Sequence, residues 1–396
     1  MRTIFPVSAM PHLVFSFCRQ RVPALICALA ALGLSGAQAN SFSAPGKDAS
    51  GLGVAYAGTS AYADNASVQA YNPAGINALG QGLHFSAGAL GIKNRVEFSN
   101  RGSSDLSGGN GGDAGDWQTL PNLYLAWRIT EGLGLGFAVT SPETYDLAYD
   151  RDWLGRGWVT RARLGTTSFA PSLALSVFDS ISLGLGLEYE TARLTVENAG
   201  GKARDSDHAL GWHVGALFTL SERMRVGASY HSGKQYTLDA PSGLSAFPGV
   251  SDSGRFRTPE VYSLSVWQRL SEEWEALGDF SYTRWSDLKD YSSDSWRFSW
   301  GAIYTHNERW KSKFGIAYDR SPNPRRARAL LIPDAHRLLF SLGGQYRLSK
   351  TAFIDFGYAY QWSKRARLDH AFGGARLRGV YDVGGHLLGV QYSQGF

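Results

Sequence analysis

The chain has very little cysteine, no strong excess of either charge and no long apolar run beyond its N-terminus. Its only cysteines are Cys18 and Cys27, so a disulfide framework is excluded. No segment approaches the 18 consecutive apolar residues that mark a membrane-crossing helix. The formal charge is +5 over 396 residues, too small for the basic footprint of a nucleic-acid-binding protein. Disorder is excluded because aromatic residues make up 13% of the chain.

What the sequence does have is 47 Gly, 12 Trp, 19 Tyr and 20 Phe, an excess that points to an all-β chain. Residues 1–39 stand apart. They carry Arg2, Arg19 and Arg21 with no acid, then an apolar run over 22–34, then Ala37-Gln38-Ala39. This reads as a secretory signal peptide cleaved after Ala39. Both cysteines leave with it, and the charge falls from +5 to +2. The exported chain is then either water-soluble or crosses a membrane as a β-barrel, the one spanning form that needs no apolar helix.

Alternation favours the barrel. Ile354, Phe356, Tyr358, Tyr360 and Trp362 fall on one face of a strand, with Asp355, Gly357, Ala359 and Gln361 on the other. Leu183, Leu185, Leu187 and Tyr189 oppose Gly184, Gly186 and Glu188 in the same way. The strand-like spans are long, and Trp127, Trp267, Trp285, Trp310 and Trp362 sit near their ends, as in the aromatic girdles of a barrel. Fourteen spans are predicted: 83–98, 120–130, 132–146, 158–178, 181–198, 205–220, 223–239, 254–270, 274–288, 294–306, 310–320, 335–348, 351–368 and 376–396. Tight links such as Thr130-Glu131, Asp179-Ser180 and Ser349-Lys350 alternate with longer loops rich in Gly, Ser and Asp. Short periplasmic turns opposite long outer loops give this sorting, whereas a soluble sandwich has no reason for it. The expectation is an all-β, 14-stranded antiparallel transmembrane barrel over 83–396. Phe396 lies in the apolar register of Leu388, Val390 and Tyr392 and suits a closing strand.

Residues 40–82 do not alternate. They are small and polar, and a lumen of this size is too wide for its own side chains to fill. We expect a plug, or hatch. Its core reads SGLGVAYAGTSAYADNASVQAYNPAGI over 50–76.

That stretch resembles the outer-membrane long-chain fatty acid transporter family of the FadL/TodX type, whose pattern runs approximately SGLGxAYxGxxAxADDxSxxxxNPAxM. Asn65 and Ile76 depart from it. The resemblance continues through Pro121-Asn122-Leu123-Tyr124, Trp153-Leu154-Gly155-Arg156 and Ala170-Pro171-Ser172-Leu173-Ala174. It implies passive uptake of hydrophobic compounds across the bacterial outer membrane, most readily long-chain fatty acids. The same fold carries aromatic hydrocarbons of the toluene type, and a general aqueous porin is the more distant alternative. The resemblance also implies a lumenal ligand pocket, a hatch that rearranges, and sideways release through a kink in the third strand. Candidate hatch residues are Gly51, Gly53, Asp64, Asn72, Pro73 and Ala74. Candidate wall-opening residues are Gly134, Gly136, Ser141 and Pro142. Fatty-acid-type members have a long apolar loop after the fifth strand. Here 198–205 is short and polar, although 241–254 offers Leu244, Phe247 and Val250.

An amphipathic ligand would want a cation for its carboxylate. The candidates are Arg156, Arg161, Arg163, Lys311, Lys313 and Arg337. The simpler reading of any one of them is a hydrated lumen paired with Asp279, Asp319, Asp355 or Glu188. No G-x-S-x-G motif, no cysteine nucleophile and no H-E-x-x-H is present, and the histidines show no close pair, so neither an enzyme nor a metal or cofactor site is expected. The expected partners are a hydrophobic small molecule, outer-membrane lipid with lipopolysaccharide, and the barrel-assembly machinery. A monomer suffices.

Overall fold

The computed structural model describes residues 46–237, 255–286, 293–320, 335–372 and 374–396. The predicted signal peptide 1–39 and the segment 241–254 lie outside the described residues. Fourteen wall strands follow one another around a closed antiparallel sheet. They are β1 (Gly82–Asn100), β2 (Trp117–Arg128), β3 (Leu133–Thr140), β4 (Arg161–Phe178) and β5 (Ile181–Asn198). Next come β6 (Gly201–Ser221), β7 (Met224–His231), β8 (Glu260–Arg269), β9 (Trp274–Arg284) and β10 (Ser295–Thr305). The circuit ends with β11 (Trp310–Asp319), β12 (Arg337–Arg347), β13 (Ala352–Ser363) and β14 (Ala375–Gly395). The last strand pairs with the first from His84↔Gly395 to Asn100↔Gly379. The Phe396 amide extends that seam by donating to the Leu83 carbonyl at 2.8 Å.

The bulky alternating set faces outward. Leu183, Leu185, Leu187, Tyr189, Phe356, Tyr358, Tyr360 and Trp362 are all exposed, as a lipid-facing belt requires. Among the predicted girdle residues, Trp127, Trp310 and Trp362 are exposed, but Trp267 and Trp285 are buried. The indole N–H of Trp267 donates to Glu275 at 2.7 Å and that of Trp285 to Ser295 at 2.9 Å. Each has found an internal polar partner, so its ring is drawn inward.

Residues 46–81 fill the lumen as a chain of short turns and three 3-10 helices, Gly51–Val54, Ala66–Ala70 and Pro73–Ala78. The lumen-facing residues opposite them are often glycines. A methyl group on Gly184 would overlap the backbone at Pro73 and Ala74, one on Gly215 would overlap Asn72, and one on Gly227 would overlap Ser60. Gly315 meets Val54 in the same way. The small lumenal set is therefore small because the N-terminal segment lies directly on the wall backbone.

β3 is interrupted after Thr140. It pairs with β2 only as far as Leu123↔Val139, although β2 continues outward along β1 to Trp117↔Lys93. A further short strand, Thr144–Ala148, then stays with β4 and makes no ladder with β2.

Candidate functional site

The break in β3 has a local cause. On the β4 side Thr140 pairs with Ser168 and Thr144 with Gly165. Three residues, Ser141, Pro142 and Glu143, thus stand against two, Thr166 and Thr167. The surplus residue is a bulge, and Pro142 cannot donate a backbone hydrogen bond. Thr166 holds the near side, its hydroxyl accepting from the Glu143 amide at 3.0 Å. On the far side, the buried Asn122 amide has no hydrogen-bond partner, and neither has the nitrogen of the Gln118 amide. Thr144, whose hydroxyl donates to Gln118 at 2.6 Å, reaches across, and farther out the Ala148 amide donates to the Ala114 carbonyl at 2.9 Å. Gly134 and Gly136 do not lie at the break. Both sit within the paired part of β3, where Gly134 packs against Ile76 and Asn77, and Gly136 against Gln69 and Ser172.

A cavity of about 230 Å³ opens inward from this break. Pro142 and Glu143 line one side, Lys47, Tyr56 and Tyr71 of the N-terminal segment another, and Trp296, Arg297, Arg320 and Arg337 the far wall. Arg297 and Arg337 share Asp319, at 3.5 and 3.6 Å. Arg320 has no ion-pair partner among the described residues, and its buried Nε has no hydrogen-bond partner. The whole lining holds five Lys and Arg side chains against four Asp and Glu, and Arg320 is the cation among them without an ion pair to a described residue.

Of the six predicted cations only Arg337 lines the cavity. Lys313 is sealed beneath the N-terminal segment, 2.9 Å from Asp355 and 3.2 Å from the Ser50 carbonyl. Lys311 pairs with Glu275 at 3.2 Å. Arg161, half-buried, and Arg163, exposed, share Asp146 at 3.3 and 3.4 Å. Arg156 donates to Ser107 and to the Trp153 carbonyl, tying one outer loop to another. Paired charges satisfy a lumen or a loop but have little left for a ligand.

The segment residues are knit into place. The Asn72 amide nitrogen donates to the carbonyls of Ser60 at 2.7 Å and Ala216 at 3.0 Å, while its oxygen accepts from the Ala74 amide and caps the 3-10 helix that Pro73 begins. Asp64 accepts from Asn65 at 2.7 Å and Gln345 at 3.3 Å. Gly53 lies against Lys313 and Gly343, and Gly51 beside Tyr56. Burial raises the pKa of Asp48 despite hydrogen bonds from Ser67 and Tyr71, and burial lowers that of Lys47 despite Glu188. Asn72→Ala removes a cap and two donations to buried carbonyls. We expect amide exchange over 73–79 to quicken by about tenfold or more, read by hydrogen–deuterium exchange, with the wall strands unchanged.

Sequence reasoning missed Lys47, Arg297, Arg320 and the pair His213 and His231. The histidines lie directly opposite one another on β6 and β7, with ring centroids 4.8 Å apart. A signal was present: a tight turn near Ser221 makes residues equidistant from it neighbours. Lys47 had none, because nothing periodic surrounds it.

A family model described as outer membrane protein transport protein (OMPP1/FadL/TodX) matches residues 30–396. The long-chain fatty acid transport protein of Escherichia coli O6:H1 is 25% identical, across 91% of this chain and 94% of its own. Outer membrane protein P1 of Haemophilus influenzae is 27% identical, across 84% and 88%. Among solved structures, a Pseudomonas aeruginosa FadL homologue superposes with a TM-score of 0.79 at 20% identity, over 90% of this chain and 100% of that one. The Pseudomonas putida toluene transporter TodX does so with a TM-score of 0.65 at 15% identity, over 89% and 99%.

Proposed function

We infer the function of this chain from its family and its cavity together: it belongs to the OMPP1/FadL/TodX outer membrane transport proteins, and it is an outer-membrane channel for passive uptake of hydrophobic compounds, long-chain fatty acids foremost. One observation carries the reading. The break in β3 borders the cavity that Arg297, Arg320 and Arg337 line. An amphipathic molecule held there has its carboxylate facing Arg320 and the gap beside it. Its chain can leave between β2 and β3 into lipid without crossing an aqueous pore. The N-terminal segment is the hatch. It closes the straight path through the lumen, with Gly51, Gly53, Asp64, Asn72, Pro73 and Ala74 holding it closed. The barrel closes on its own chain, which supports a monomer. Its role is transport and not catalysis.

The deciding experiment is labelled oleate uptake by cells lacking their own fatty-acid channel, with surface expression and a heat-modifiable barrel band checked in the same cells. The protein should restore uptake. A folded barrel that does not restore it would sink the fatty-acid reading, and toluene uptake would then test the hydrocarbon alternative. Arg320→Met should raise the oleate concentration for half-maximal uptake by about tenfold, the value of one charge-assisted hydrogen bond, while leaving toluene uptake unchanged.

A further inference from the structure

Glu188, His213 and His231 bring one oxygen and two ring nitrogens together, all within 4.8 Å of one another. The two sides of Glu188 differ. Its Oε2 is held by Lys234 at 2.5 Å, and Lys234 also reaches Glu190 at 3.0 Å. Its Oε1 faces Nδ1 of His213 at 3.1 Å and Nδ1 of His231 at 3.2 Å. His231 has its Nε2 3.1 Å from the Tyr71 carbonyl. A carbonyl only accepts, so Nε2 carries the proton and Nδ1 presents a lone pair. That lone pair and the carboxylate oxygen then face each other at 3.2 Å, an arrangement that calls for a cation near both.

His213 makes the same demand. It is 1% exposed, its Nδ1 meets Glu188 Oε1 at 3.1 Å without hydrogen-bond alignment, and its Nε2 has no hydrogen-bond partner. Its imidazole packs against Gly186, where any side chain would collide with it. It also stacks on His231 with 11° between the ring planes. A buried imidazole whose nitrogens are poorly satisfied in this way is costly unless something binds it.

The cation nearest the three atoms belongs to the N-terminal segment. Lys47 Nζ stands 3.5 Å from His231 Nδ1 and 3.9 Å from Glu188 Oε1, and it donates to the Ala70 carbonyl at 2.8 Å. Lys47 is thus at the rim of the cluster and not between its atoms.

We propose that Glu188, His213 and His231 form a binding site for a divalent transition-metal ion of the zinc type, and that the ion competes with Lys47 for it. Two imidazoles and a carboxylate are a zinc donor set, which leaves a fourth position for water on the cavity side. The Tyr71 carbonyl serves as the outer partner that fixes the His231 tautomer. Because Lys47 and Tyr71 both belong to the N-terminal segment, metal binding is coupled to the seating of that segment. By linkage, whatever loosens Lys47 tightens the metal, and the metal in turn loosens Lys47. The site stands independently of what the channel carries.

The test uses residues 40–396 purified in detergent without a polyhistidine tag. Folding is checked by heat-modifiable migration, and Zn²⁺ is titrated against a chromophoric chelator. We expect one Zn²⁺ per chain, with two imidazole nitrogens in its X-ray absorption shell. His213→Asn and Glu188→Gln should each weaken binding by at least about tenfold. Lys47→Met should strengthen it by about tenfold or more, since it removes a positive charge about 4 Å from the ligand oxygen. A folded wild-type barrel that takes no Zn²⁺, or that binds it equally well with both His213→Asn and Glu188→Gln, overturns the site. Unchanged affinity in Lys47→Met overturns the competition.

Discussion

Deleting residues 40–76 should turn the barrel into an open, ion-conducting pore. On the proposed reading the lumen is closed by this segment, of which residues 46–76 lie on the wall, and not by the wall's own side chains. Gly184, Gly215, Gly227 and Gly315 present bare backbone, and the segment lies on it. Without the segment a fourteen-stranded lumen fills with water, because nothing else is large enough to occupy it. Single-channel conductance in planar bilayers should rise by at least about tenfold over the intact protein. Heat-modifiable migration would establish that the truncated barrel has folded. A folded barrel with unchanged conductance would refute the hatch and place the barrier elsewhere. The obvious place is the apolar cluster around Trp153, Tyr149 and Tyr381 at the outer end.

The second large effect concerns the wall. Deleting Pro142 removes the surplus residue between Thr140 and Thr144 and the missing backbone donor together. β3 can then run unbroken along β4 and zip onto the outer half of β2, covering Asn122 and Gln118. If ligand leaves sideways, oleate uptake should fall by about tenfold or more, because an apolar chain would have to cross a closed hydrogen-bonded wall. Conductance should not change, since the N-terminal segment is untouched. The two deletions therefore dissociate: one opens a polar path without requiring the apolar one, and the other shuts the apolar path alone. Full uptake through a folded Pro142-deleted barrel would sink lateral release.

Much of the fold could be read in the sequence because lipid imposes a strict rule. Each outward residue must be apolar and each inward one small or polar, so β5 appears as Leu183, Leu185, Leu187 and Tyr189 set against Gly184, Gly186 and Glu188. The fourteen spans and the alternation of short and long links follow from that rule, and the span 181–198 coincides with β5 as it stands. The rule says nothing about what fills the lumen. Trp267 and Trp285 look like girdle residues by position, and only their partners Glu275 and Ser295 explain why they are inside. The same holds for charge. Lys311, Lys313 and Arg337 share a face by parity, but whether a cation is consumed by an ion pair depends on strands far away in sequence. Lys313 is taken by Asp355, while Arg320, just past the end of β11, is left over. Gly134 and Gly136 illustrate the opposite error. Glycine in a strand suggests a bend, but here it makes room for side chains of the N-terminal segment, and the bend comes from a counting mismatch at Ser141 and Pro142, the other two candidates.

The bare lumenal wall also bears on how the molecule is assembled. The 3-10 helix Pro73–Ala78 touches β4, β5 and β6, while Gly51–Val54 touches β10, β11, β12 and β13, so the segment meets both halves of the sheet. Hairpins added one after another form an open, curling surface until β14 reaches β1. Once that seam zips, a folded segment of this size can enter the lumen only from its two ends. The segment directly precedes β1 and is made before any wall strand, so it is on hand throughout. We expect it to act as a former on which the later strands curl to the right radius. Closure, the contact of greatest sequence separation and so the slow one, then depends on residues that never touch lipid. A glycine-to-valine change at 184 or 227 would show itself first as delayed barrel closure in the membrane and only afterwards as a leak.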